Sequence, residues 1–199
     1  MKYFLDTADL EEIKKWSSII EGVTTNPTKI KTEELKDFVN KAFDISTNIK
    51  YVFVQAGTEK DIDVIANNIV RHCKFYDRTI VIKIPLVKQG YDLIPYAKQV
   101  EGVELCGTMT YDAVQLDRAL ESNFQWCIVL NHKNEDKEFC KYAINFFGNP
   151  KLIGASFRTK EEVLNLYSLG YNYITVRPET MELVMYNKQA SEDWSSLYE

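Results

Sequence analysis

The chain has 199 residues, of which 45% are hydrophobic, 27% charged and 13% aromatic, an ordinary globular composition at a length that suits one domain. Its net charge is −5 and its basic residues are dispersed, which argues against a nucleic-acid partner, and no apolar run approaches the ~20 residues that a bilayer span requires. The opening MKYFLDTADLEEIKKW sets acids directly behind a short apolar run, unlike a secretory leader, so a soluble, cytoplasmic protein without a membrane partner is expected.

Short apolar runs alternate with helical patterns along the chain. KYFLDT (2–7) reads as a strand, and residues 9–19 as a helix with acids in its first turn, where they suit the positive end. GVTTN (22–26) and YVFVQAG (51–57) are the next strands. Residues 58–73 follow as a helix that opens T-E-K-D and spaces Ile62, Ile65, Ala66 and Ile69 along one face. TIVIKIP (79–85), ELCGT (104–108), QWCIVL (125–130) and KLIGASF (151–157) continue the series. The helix over 159–169 begins with a capping box, T-K-E-E, and stops at Gly170. YITVRP (173–178) is the last strand, and Pro178 suits the first turn of a helix behind it.

Eight strands, each apolar on both faces and followed by a helical stretch at about 25 residues per repeat, predict an α/β protein with a single closed (β/α)8 TIM barrel. The structural competitor is an open doubly wound sheet, because alternation alone does not prove closure. The barrel is expected over residues 1–185. Residues 186–199 form a short C-terminal tail, expected to be helical and to pack on the barrel or on a neighbouring subunit through Trp194, Leu197 and Tyr198. Cys73, Cys106, Cys127 and Cys140 show no paired spacing, and His72 and His132 stand at unrelated positions. Buried reduced thiols and no metal site are therefore expected. With no GxGxxG and no P-loop, no cofactor is expected either.

A barrel places its site at the C-terminal strand ends, and polar residues fall there: Asp6, Thr24, Asn26, Gln55, Lys83, Thr108 and Ser156. Period two points Asp6 the same way as Phe4, Gln55 with Phe53, and Lys83 with Val81. Lys83 is the sharpest signal. It sits inside IVIKIP, where a lone ammonium is costly, and burial favours the neutral amine, which is a nucleophile. The bland alternative is a lysine that snorkels to solvent. Asp6, with Asp9 nearby, has its own bland alternative as a helix N-cap, and Asn26-Pro27 alone is a turn signal. Together, an amine, a carboxylate and neutral polar groups suit imine chemistry on a hydroxylated carbon chain.

At these residues the sequence resembles the transaldolase and fructose-6-phosphate aldolase family of small class I Schiff-base aldolases. The match includes FLDTADLEEIK (4–14), GVTTNPT (22–28), VIKIP (81–85), GTMTYDAVQ (107–115), GASFRT (154–159) and SEDW (191–194). The resemblance implies that Lys83 forms an imine with a ketose phosphate and that Asp6 takes the proton of the C4 hydroxyl. It implies that Thr24 and Asn26 bind substrate hydroxyls, that Gln55 and Thr108 hold a proton-relaying water, and that Ser156 lies at the phosphate end. A glutamine at the position of Gln55 goes with the aldolases, which split fructose 6-phosphate into dihydroxyacetone and glyceraldehyde 3-phosphate. The alternative is a transaldolase that passes the dihydroxyacetone unit to erythrose 4-phosphate, in the pentose phosphate pathway.

The chain departs from the family in three places. Leu130 stands where the family has an aromatic residue near the end of strand six. Asn131-His132-Lys133 replaces a phosphate-binding arginine, so Lys133, Arg158 and Arg177 are expected to supply the phosphate charge. The tail is shorter than the family's last helix, which in decamers of two stacked pentamers reaches a neighbour; a homo-oligomer is still expected. The first two departures motivate a further alternative, a non-catalytic relative that binds sugar phosphate. A barrel isomerase working through a carboxylate and a histidine is disfavoured, since no histidine occupies a strand end.

Overall fold

The computed structural model describes residues 1–68, 77–131, 138–145 and 151–198. Its strands are β1 (Lys2–Asp6), β2 (Ile20–Thr24), β3 (Tyr51–Gln55), β4 (Thr79–Pro85), β5 (Val103–Thr110), β6 (Trp126–Leu130), β7 (Lys151–Ala155) and β8 (Tyr173–Val176). Every neighbouring pair is parallel and β8 returns to β1, so the sheet closes in sequence order. This is the (β/α)8 barrel that the alternation predicts, and closure removes the open-sheet competitor. Helices lie between the strands, among them Leu10–Trp16, Leu35–Ile45, Ala113–Glu121, Lys160–Ser168 and Pro178–Met185. The helix expected over 58–73 is described as Glu59–Asn68; its remainder, with His72 and Cys73, lies outside the described residues.

Period two along each strand sorts the apolar side chains into two layers. Phe4, Phe53, Val81, Cys106, Trp126, Ile128, Ile153 and Ala155 fill the barrel interior. Their alternate neighbours, such as Leu5, Val23, Val52, Ile80, Ile82 and Ile174, face outward against helix residues including Ile13, Val39, Ile65, Leu116 and Leu166. The lower interior is aromatic. Phe4 lies 5.1 Å from Phe53 between ring centroids, Trp126 stands edge-on to Tyr173 at 5.0 Å, and the Trp126 indole donates to the Glu104 carboxylate. This plug gives the strand ends above it a rigid floor.

Local chemistry sets the element boundaries. Asp9, not Asp6, caps the first helix, its Oδ1 accepting from the backbone N–H of Glu11 at 2.9 Å and of Glu12 at 3.4 Å, which leaves Asp6 to the site. The capping box of Thr159 and Glu162 is present, and Gly170 takes a φ of +95° behind that helix, a conformation open to a residue without Cβ. Pro178 occupies the first turn of its helix. β2 ends at Thr24, two residues earlier than the sequence suggests, because Asn26 turns the chain: its Oδ1 accepts from the Thr28 N–H at 3.0 Å and from the Thr28 hydroxyl. Residues 188–198 form a final helix, on which Trp194 and Leu197 are 63% and 74% exposed in the single chain. No described helix is long and apolar enough to cross a membrane.

Candidate active site

A cavity of about 530 Å³ opens at the C-terminal ends of the strands. Asp6, Thr24, Asn26, Gln55, Lys83 and Thr108 line one side of it; Ser156, Arg158 and Arg177 line it from the β7 and β8 loops. The site residues expected from the sequence thus converge, save Lys133, which lies outside the described residues together with His132.

Lys83 reaches this cavity from β4, between Ile82 and Ile84, and is only 5% exposed. Its Nζ donates to the backbone carbonyl of Thr25. Burial pushes the Lys83 pKa down; the charge of Asp6 opposes that shift, and Lys29 adds to it. Burial therefore shifts the side chain toward the neutral amine relative to a solvated lysine. Gln55 is its register partner on β3 and Cys106 its register partner on β5. The Cys106 thiol is itself pushed well up by burial, so it stays protonated beside the amine. Cys127 rises to about 12 for the same reason, and Cys106, Cys127 and Cys140 are all buried.

Asp6 ends β1 level with Thr24 on β2. The Thr24 hydroxyl lies 3.4 Å from Asp6 Oδ1, as a donor, and 2.6 Å from the Thr175 hydroxyl of β8. Thr175 was not among the sequence candidates, although its alternation with Tyr173 and Arg177 along β8 puts it on the interior face. Lys29 was missed as well. It leaves the turn after β2, donates from Nζ to the Asp6 carbonyl at 2.9 Å, and stands 3.6 Å from Asp6 Oδ2.

The rest of the wall is less polar. Leu130 does line the cavity at the end of β6, as do Ile128, Phe157 and Met109. Pairing between β5 and β6 shifts register after Gly107, and within that bulge Met109 adopts a φ of +60°. Ser156, directly beyond β7, has a φ of +68°. Left-handed backbone at two non-glycine residues of one cavity is stored strain of the kind that collects at functional sites. Gln115 ties the strand-five loop down, accepting from the Tyr111 N–H and donating to the Leu86 carbonyl, each at 2.7 Å.

The two arginines stand at the rim of the cavity on the β7 and β8 side. The Arg158 N–H donates to Glu162 at 2.7 Å, which sets Arg158 at the start of the helix Lys160–Ser168; Arg177 holds the N-cap position of Pro178–Met185. Two exposed guanidiniums and two helix N-termini at one rim favour a phosphate or carboxylate there. Among the described residues, no group of three or more His, Cys, Asp or Glu side chains is placed to hold a metal ion.

Comparison with known proteins meets this geometry. Residues 3–130 match the family model described as Transaldolase/Fructose-6-phosphate aldolase. A "Probable transaldolase" of Kosmotoga olearia is 26% identical, the alignment covering 94% of this chain and 89% of that protein. A "Probable fructose-6-phosphate aldolase" of Streptococcus pneumoniae is 28% identical over 92% of this chain and 87% of its own length. A "Probable transaldolase" of Streptococcus agalactiae serotype V is 28% identical over 90% and 87%. The match runs through β1 to β6 and takes in Asp6, Thr24, Asn26, Gln55, Lys83 and Thr108; the chain belongs to the Transaldolase/Fructose-6-phosphate aldolase family.

Proposed function

We propose that the protein is a class I, Schiff-base aldolase of the fructose 6-phosphate type. The observation that carries the reading is the buried amine of Lys83 at the floor of a polar cavity, with the Asp6 carboxylate on the same rim. A binding module has no use for a buried amine, whose desolvation is a cost without return.

The neutral amine of Lys83 attacks the ketone carbon; a carbon–nitrogen bond forms and the carbonyl oxygen leaves as water, relayed by a water held between Gln55 and Thr108. Asp6 takes the proton of the C4 hydroxyl while the C3–C4 bond breaks, and that bond's electron pair moves onto the iminium nitrogen to give an enamine. Glyceraldehyde 3-phosphate leaves. The enamine is protonated at carbon and hydrolysed, which frees dihydroxyacetone and restores the amine. Thr24 and Asn26 hold substrate hydroxyls, while Ser156 lies at the phosphate end, where Arg158 and Arg177, with Lys133, receive the phosphate.

Gln55 favours the aldolase branch because an amide orients water without adding the basicity of a carboxylate. The relatives named as probable transaldolases favour the other branch, transfer to erythrose 4-phosphate. One assay separates them. The aldolase reading expects free dihydroxyacetone and glyceraldehyde 3-phosphate from fructose 6-phosphate alone; products that form only with erythrose 4-phosphate present overturn it in favour of transfer.

The same reading includes association of identical chains. Leu183, Tyr186, Trp194 and Leu197, on the last two helices and the turn between them, are each more than half exposed in the single chain, and a neighbouring copy packed on the final helix would cover them.

A further inference from the structure

Lys29 sits three residues beyond Asn26, in the turn that leaves β2. Its N–H donates to the Asn26 carbonyl at 2.9 Å, and the turn throws its side chain back over the end of β1. There its Nζ meets Asp6 twice, donating to the backbone carbonyl at 2.9 Å and standing 3.6 Å from carboxylate Oδ2. The two side chains are 25% and 27% exposed, so the pair is shielded from most of the solvent that makes surface ion pairs weak. Lys83 is the other natural counter-ion for Asp6. Among the described residues it makes no ion pair, and its Nζ is turned to the Thr25 carbonyl instead.

We propose that Lys29 is a positioning residue: it stands in for Lys83 as the ionic partner of Asp6, which leaves the Lys83 amine to attack a carbonyl and fixes the direction of the Asp6 carboxylate. The inference rests on the imine reading above, yet it concerns a residue that reading does not use. The groups facing Lys83 are Asp6 from β1, Cys106 from β5 and Lys29 from the turn after β2. Burial is the largest influence and favours the neutral amine; Asp6 favours the ammonium and Lys29 disfavours it, while Cys106 stays an uncharged thiol. Among the described residues, the remaining cations of the cavity, Arg158 and Arg177, stand on the β7 and β8 side. Removing Lys29 withdraws one cation and uncovers the Asp6 charge, and both changes push Lys83 toward the ammonium.

The test reads Lys83 directly, with no sugar present. Acetic anhydride labels neutral amines, and peptide mapping across a pH series gives the pH at which Lys83 is half reactive. In Lys29→Met that pH rises by about half a unit, and labelling at neutral pH slows about threefold; Lys29→Arg keeps the unmodified profile. In turnover, Lys29→Met lowers kcat with little change in KM, and its pH optimum moves up with the labelling curve. A Lys29→Met protein with the original labelling profile overturns the proposal. So does a Lys29→Arg protein that behaves like Lys29→Met, since the charge would then not be what matters. A shifted labelling curve in a protein that forms no adduct with any ketose upholds the role of Lys29 and removes the aldolase reading, which keeps the two failures apart.

Discussion

Lys83 carries two opposing demands, one on stability and one on chemistry. Its pKa lies below the ordinary 10.5 because of burial, so the unfolded chain binds a proton that the native site resists. Stability contributed at this position therefore falls as the pH drops from 10.5 toward the native pKa, and Lys83→Met removes the loss. We expect Lys83→Met to abolish turnover and yet to raise the melting temperature at neutral pH, the gain shrinking as the pH is raised; an unchanged or lower melting temperature contradicts this. Asp6→Asn should still form imine while cleavage falls at least a hundredfold, as for loss of a general base. Arg158→Ala and Arg177→Ala each remove a charged hydrogen-bond donor worth roughly 1.5–3 kcal/mol, or about 10- to 100-fold in KM for a phosphorylated ketose, with little effect on unphosphorylated dihydroxyacetone. If neither variant changes KM, the phosphate charge comes from elsewhere. At this scale the sequence is uneven. Lys83 announces itself because a charge interrupts an apolar strand. Lys29 does not, because a lysine in a polar turn is ordinary, and only the fold brings it over Asp6.

Elements were legible wherever the local pattern and the tertiary need agree. The T-K-E-E box is an example: Thr159 accepts from the Glu162 N–H at 3.2 Å and Glu162 answers to the Thr159 N–H at 3.1 Å. The same carboxylate holds the Arg158 N–H, so this cap also sets the position of a candidate phosphate ligand. Thr159→Ala is expected to cost about 1 kcal/mol by thermal denaturation and to raise KM for fructose 6-phosphate at unchanged kcat. A stability loss without the KM effect would show that Arg158 does not depend on the cap. The strand ends were less legible. Asn26 reads both as the end of its strand and, with Pro27, as a turn signal, and its side-chain bonds to Thr28 decide for the turn. The left-handed Met109 and Ser156 leave no trace in sequence, because neither is glycine and the bulge in β5 is imposed by its pairing with β6.

For the whole molecule, alternation of strands and helices implied the barrel, but closure rests on contacts between chain ends, where β8 pairs with β1 from Lys2 and Tyr173 to Leu5 and Val176. The aromatic interior beneath the cavity makes that closed sheet stiff. Trp126→Ala, at the centre of four ring contacts, should destabilise by about 3–5 kcal/mol. A loss below about 1 kcal/mol would mean that the plug is not what holds the floor. Activity is expected to survive a chelator, since every step proposed uses only protein groups and water. The central claim is the covalent one. Borohydride is added in the presence of fructose 6-phosphate or dihydroxyacetone, and the protein is read by intact mass and peptide mapping. A reduced adduct on Lys83, absent from Lys83→Met, is the predicted result; no adduct with either compound, or an adduct on another lysine, contradicts the account.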